Sequence, residues 1–169
     1  MTVAWLKKHF EYCDGELLVK KQYHGRMRRP GEPAGGHYGH RYKTVKIQYR
    51  RFYLHRLIWF YFNGSWPKFI DHIDGDKSNN RIENLRPCSR SQNHAARKQK
   101  TSATGFRGVL RRKNKRTADT FYAAITVRGK SKTVGTFKTP RLAALAYNRE
   151  ARRAFGEFAC LNKVKGNAE

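Results

Sequence analysis

The sequence is short of acidic side chains, of cysteines and of long apolar runs, and each shortage excludes something. Only 12 Asp and Glu stand against 37 Lys and Arg in 169 residues, a formal net charge of +25. An imbalance of that size points to a polyanionic partner, with nucleic acid first among them. The three cysteines, Cys13, Cys88 and Cys160, form no close pair. That excludes a disulfide framework and a zinc knuckle or ribbon, and fits a reducing cytoplasm. The longest apolar run, Leu57 to Phe62, is far too short to span a bilayer, and the N-terminus lacks a basic-then-apolar signal pattern. A soluble cytoplasmic protein is expected.

What is present is enough hydrophobic residue, 38%, to build one domain or two small ones without staples. Residues 1 to 96 carry 18 basic and 8 acidic side chains, and residues 97 to 169 carry 19 and 4. Both parts are basic, the second more densely. From Arg97 to Thr104 the composition turns polar and basic, RKQKTSAT, which predicts a linker. The expected domains are therefore 1–100 and 101–169.

The first domain opens with the turn pair Asp14-Gly15 ahead of ELLVKK, a hairpin signal. Residues 25–42 are rich in Gly, Pro and Arg and read as a loop, with Arg26, Arg28 and Arg29 available for phosphates or simply solvated. Tyr42 to Tyr49 alternates with the period of a strand, and Arg50-Arg51 is the expected turn. LHRLIWFYFNG reads as a short core helix stopped at Asn63-Gly64, with Trp59, Phe60 and Phe62 inside. FIDHI is a strand entering the Asp74-Gly75-Asp76 turn, and a second short strand follows near Leu85. At Ser89 an S-x-x-Q capping box begins a helix and fixes the direction of Asn93.

Chemistry concentrates in DHIDGDKSNNRIENLRPCSRSQN, Asp71 to Asn93. Hydrolysis of a phosphodiester needs a base for the attacking water, a cation at the phosphate and stabilisation of the leaving oxygen. His72 is a competent base near neutrality. Asp71 and Asn93 offer hard oxygens suited to Mg²⁺ or Mn²⁺ rather than zinc. Singly, a histidine beside an aspartate is a common surface pair, and N-N-R and D-G-D are ordinary turns. His24, His37, His40 and His94 read as surface or loop residues, and His55 as structural.

In order and spacing, Asp71-His72, Asn84 and Asn93, preceded by HRLIWFYFNG and a Trp-Pro, resemble the His-Asn-His (HNH) nucleases of the ββα-metal fold. The branch resembled is that of phage and intron homing endonucleases. The resemblance implies His72 as general base, Asp71 and Asn93 as ligands of one Mg²⁺ or Mn²⁺ ion, and Asn84 as holder of the loop that orients His72. Many relatives have a third histidine where Asn93 stands.

Beyond the linker, Phe106 to Arg112, Phe121 to Arg128 and Lys132 to Phe137 are strand-like, with a turn at Gly129-Lys130. A helix follows, with Thr139 as N-cap, Pro140 at its first position and Gly156 as its stop. Ala143, Ala146, Tyr147, Ala151 and Ala154 form a small-residue stripe along it. The RGV, GTF, AALAY and closing LN of this stretch resemble the DNA-binding domain of plant ethylene-response factors (AP2/ERF). That family lays a three-stranded sheet in the major groove. The resemblance implies a DNA-contacting set of Arg107, Gly108, Leu110, Arg112, Ala124, Thr126, Thr133 and Tyr147, with Arg111, Arg128 and Lys130 as compensating cations. Leu110, Ala124 and the threonines depart from the plant pattern, so plant specificity does not transfer.

The expected fold class is α+β: an HNH ββα-metal domain, then a three-stranded antiparallel sheet packed on one helix. The expected function is metal-dependent cleavage of double-stranded DNA in a bacterial cytoplasm by a phage-type enzyme, without a membrane or an obligatory protein partner. A catalytically inactive DNA-binding regulator and an RNA-binding accessory protein are the alternatives.

Overall fold

Turn chemistry lays out the N-terminal half. Strand β1 (Phe10–Cys13) returns as β2 (Glu16–Val19) through Asp14 and Gly15, both at positive φ, 46° and 83°. Strand β3 (Thr44–Ile47) returns as β4 (Arg50–Tyr53) through Gln48 and Tyr49, at φ 45° and 66°. Positive φ at both loop residues is the two-residue hairpin geometry whose twist matches the strands. The turn expected at Arg50-Arg51 is thus two residues earlier, and Tyr49 belongs to the loop rather than to a strand. Pairing decides this: Ile47 faces Arg50 and Lys46 faces Arg51.

The computed structural model describes residues 1–21, 28–37, 41–97, 101–114 and 116–164, so Arg26, His24 and His40 lie outside the described residues. They divide into two compact units, Met1–Cys88 and Ser89–Glu169.

In the first unit, α1 (Val3–His9) is capped by Thr2, whose hydroxyl accepts from the Trp5 amide at 3.2 Å. Sequence reading had no helix there. Helix α2 (Leu54–Asn63) ends at Gly64, φ 64°, whose amide donates to the Phe60 carbonyl at 2.9 Å. Both helices and the first two hairpins share one core of Leu6, Phe10, Leu17, Val45, Leu54, Leu57 and Ile58. Phe60 is buried and Trp59 partly so, but Phe62, expected inside, is 46% exposed at the last turn of α2. Strands β5 (Phe69–His72) and β6 (Leu85–Cys88) pair antiparallel and add Ile70 and Leu85 to the same core.

In the second unit, α3 (Arg90–Ala96) starts with the expected capping box of Ser89 and Gln92. Strands β7 (Val109–Arg112), β8 (Thr120–Val127) and β9 (Lys130–Phe137) form the antiparallel sheet. Its second turn is Arg128-Gly129, one residue before the expected pair. Helix α4 (Pro140–Phe155), capped by Thr139, packs on the sheet through Ala143, Ala146, Tyr147 and Ala151. Ala154, expected in that stripe, is exposed, and Phe155 is buried instead. Asn162 ties the segment after α4 to that helix and to the residue two before β7: its side-chain oxygen accepts from the Arg107 amide at 2.6 Å and its own amide donates to Asn148 Oδ1 at 2.7 Å.

The unit division at Cys88/Ser89 precedes the boundary expected from composition, because α3 bonds forward in the chain. Arg107 Nη1 donates to the carbonyls of Ala95 and Arg97 at 2.8 and 3.1 Å, and the Arg128 amide donates to Ser91 Oγ at 3.3 Å. A polar, basic composition marks a linker only where the backbone finds no such partners.

Candidate active site

The β5–β6 pair places the expected residues by register. His72 faces Leu85 and Asp71 faces Arg86, so the two neighbours project to opposite sides of the hairpin. His72 falls on the buried side, 6% exposed, against the rings of His55 (5.3 Å between centroids) and Tyr42 (6.1 Å). Its Nε2 lies 3.2 Å from Oδ1 of Asn80, which is itself buried. The Asn80 amide nitrogen donates to the Ser78 carbonyl, which fixes which end of the amide meets the imidazole. An oxygen acceptor at that distance requires the proton on Nε2 and leaves Nδ1 outside the bond.

Asp71 is engaged by Arg86, whose Nε and Nη2 both donate to Oδ2, at 3.0 and 2.8 Å. Both side chains are largely buried, about a tenth exposed. Asn84 locks the intervening loop from inside. Its Oδ1 accepts from the Asp74 amide at 3.0 Å, and its Nδ2 donates to Asp74 Oδ1 at 3.0 Å and to the Asn79 carbonyl at 2.8 Å. Burial works to raise the Asp74 carboxyl, but donors from Asn79, the Asp76 backbone and Asn84 outweigh it and hold the group below its ordinary range. Asn93 stands half-buried on α3, in the second unit.

The N-terminal hairpin is part of this arrangement, which sequence reading missed. Tyr12 Oη accepts from the Ile82 amide at 3.1 Å, and Asp14 takes a two-point ion pair from Arg81 at 2.5 and 2.9 Å. Gly15 is pressed so closely on the loop that a Cβ there would lie 2.9 Å from the Arg81 amide and 3.1 Å from the Asn80 carbonyl carbon. Asn80 was also missed: Asn79-Asn80 reads locally as turn chemistry, and only the burial of His72 shows what the second asparagine holds. Tyr42 carried a periodicity signal and no chemical one.

His55, expected to be structural, is 7% exposed and its Nδ1 is buried without a hydrogen-bond partner among the described residues. Burial above all, then the nearby His72 and Arg56, lowers its pKa from 6.5 to about 3. Above pH 6.5 both folded and unfolded states hold it neutral. Below that, the unfolded chain takes up a proton that the folded one refuses, so stability falls by up to about 1.4 kcal/mol per pH unit towards pH 3. Urea midpoints between pH 7 and 5 should therefore drop in the wild type and drop less in His55→Phe; equal slopes would show that His55 is not the group responsible.

For a divalent ion the first unit offers the Asp71 carboxylate, and Asn93, the other residue the resemblance implies, belongs to the second unit. Among the described residues no group of three or more His, Cys, Asp or Glu could hold a metal. A Mg²⁺-type ion is bound by one or two protein oxygens with water and substrate phosphate completing its shell, and Arg86 donates twice to Oδ2 of Asp71. The residues present fit such an ion and do not fit zinc.

Strand, polar loop and strand, with a buried histidine beside a carboxylate, are what comparison with known proteins must explain. Residues 52–95 match the HNH endonuclease family. This HNH segment contains α2, β5, the loop, β6 and most of α3. The chain is also 31% identical over 125 residues to an uncharacterized HNH endonuclease of Acanthamoeba polyphaga mimivirus, an alignment covering 73% of this chain and 61% of that one. The chain thus spans about three fifths of the length of the relative it matches. No solved structure matches it. Tyr12, Asp14, Gly15 and Tyr42 all lie outside the HNH segment.

The C-terminal residues expected at DNA separate into two groups. Tyr147 is buried, 4% exposed, and Gly108 (φ 68°) lies under its ring, where a Cβ would stand 2.3 Å from Tyr147 Cε2. This corrects their assignment as contacts: they hold helix against sheet. Arg107 is half-buried, and its Nη1 donates to the carbonyls of Ala95 and Arg97. Leu110, Arg112, Thr126, Arg128 and Thr133 are exposed, with the Arg112 guanidinium 5.7 Å above the Tyr122 ring. Arg111 is exposed and paired with Asp119. No helix among the described residues is long and apolar enough to cross a membrane.

Proposed function

We propose that the chain is a metal-dependent endonuclease of double-stranded DNA in which Nδ1 of His72 takes the proton of the attacking water. The observation that carries this reading is the Asn80–His72 bond. It holds the imidazole in place before substrate arrives, with Nε2 on Asn80 and Nδ1 outside that bond, on the strand that also carries Asp71. A buried base that need not reorganise is the efficient form of general base.

A bound Mg²⁺ or Mn²⁺ ion would polarise the scissile phosphate and screen the incoming oxygen. Asp71 and Asn93 are the residues assigned to hold it, Asn93 on the resemblance of the segment alone. Asn84 acts as a positioning residue, keeping the Asp74–Asn79 loop closed and with it the place of Asn80. Residues 1–100 are assigned the catalysis and 101–169 the positioning on DNA. The latter rests on the AP2/ERF-like order of three strands and a helix, with Arg112, Thr126, Arg128 and Thr133 towards the duplex and Arg111 as a supporting cation. A phage-type homing role in a bacterial cytoplasm, with no obligatory protein partner, completes the proposal.

Incubation of the purified chain with supercoiled plasmid, with Mg²⁺, Mn²⁺ or EDTA, tests it. Nicked or linear product with either ion and none with EDTA is expected. Plasmid that stays supercoiled while the protein binds duplex would favour the inactive regulator.

A further inference from the structure

Among the described residues three hairpins close through two residues at positive φ, and they differ in one informative way. Asp14-Gly15 and Arg128-Gly129 put glycine second, where the left-handed backbone would force a Cβ into the carbonyl. Gln48-Tyr49 puts tyrosine there, at φ 66°. A bulky side chain in that region is a true outlier, and such strain is retained where something other than folding needs the residue.

Folding gains little from Tyr49. Its side chain is 88% exposed, the most of any large hydrophobic in the described chain. What surrounds it is positive: Lys46 Nζ is 5.7 Å above the ring, and Arg50 and Arg51 are exposed on the strand that follows. The root of the same hairpin reaches the candidate active site, since Tyr42 lies against His72 and Tyr53, at the end of β4, stacks on His55 at 5.7 Å. From the Thr44–Tyr53 pair to the tip is four residues, about 14 Å of strand. That is about four base-pair steps along a duplex strand.

We propose that the Gln48-Tyr49 tip is a second DNA-contacting element of the N-terminal unit. In it the Tyr49 ring stacks on or wedges against a base step about four pairs from the scissile phosphate, while Lys46, Arg50 and Arg51 meet the flanking phosphates. The inference rests on the nuclease reading for its partner. Charge complementarity selects duplex DNA over a protein surface, and the aromatic tip supplies the sequence-tolerant contact that phosphate binding lacks.

The test uses the full chain in EDTA with a fluorescein-labelled duplex of mixed sequence, followed by anisotropy at two salt concentrations, alongside thermal unfolding. Tyr49→Phe should bind as the wild type does. Tyr49→Ala and Tyr49→Gly should bind at least about fivefold more weakly, the lower end of one stacking contact. Their salt slope should be unchanged, because no phosphate contact is lost. Arg50→Ala should instead flatten the slope by about one counterion. Tyr49→Gly should at the same time unfold at a temperature at or above that of the wild type, since glycine removes the strain. Wild-type duplex affinity in Tyr49→Ala would overturn the proposal and leave the tip to a protein partner, and a lowered midpoint in Tyr49→Gly would show that the tyrosine serves the fold. If the wild-type chain itself failed to bind duplex, the nuclease reading would fall first.

Discussion

His72→Ala should lower the rate of DNA cleavage by about two to four orders of magnitude while leaving duplex affinity nearly unchanged. One ring nitrogen of His72 is spent on Asn80, which leaves the other outside that bond, and the ring lies against Tyr42 and His55. Truncation removes a buried imidazole and leaves a hole of its own shape, so added imidazole should restore part of the activity in the mutant and none in the wild type. Plasmid-nicking time courses with and without imidazole are the measurement. Wild-type rates in the mutant would remove His72 from the chemistry.

Asp71→Ala should fail in two separable ways. Its carboxylate takes two bonds from a largely buried Arg86, so its loss breaks a buried ion pair, at a cost of about 3 kcal/mol. It should also abolish the metal response of cleavage, because one of only two assigned protein oxygens is gone. The double variant Asp71→Ala/Arg86→Met removes the cation of the pair as well, so its unfolding midpoint should return most of the way to the wild type. Its cleavage should not recover. Recovery of cleavage together with stability would make Asp71 a structural partner of Arg86 and nothing more.

Much of this was legible locally because local chemistry settled it. The Asp14-Gly15 hairpin, the Ser89–Gln92 capping box, the Gly64 stop and the Thr139-Pro140 start are written in one or two residues each, and each forms where expected. The turn at Gln48-Tyr49 was missed because it violates that same chemistry: a reader looking for glycine or asparagine passes over tyrosine. The loss of Phe62 from the core has a similar cause, since in an unbroken apolar run periodicity does not show which side of the helix faces out.

The sequence by itself determined the large positive charge, the spacing of Asp71, His72, Asn84 and Asn93, and the order of strands and helices apart from α1 and β4, because composition and short-range pattern carry those. Tertiary structure alone decided that Nε2 of His72 is spent on Asn80, that Asp71 is shared with Arg86, and that the first hairpin buttresses the loop through Tyr12, Asp14 and Gly15. It also decided that Gly108 and Tyr147 are packing residues, with Arg107 bonded to two backbone carbonyls. The physical reason is common to all of them. A hydrogen bond or close packing between residues as far apart as Asp14 and Arg81 depends on strand register and on which face is buried, and these follow from the assembled core rather than from neighbours in the chain.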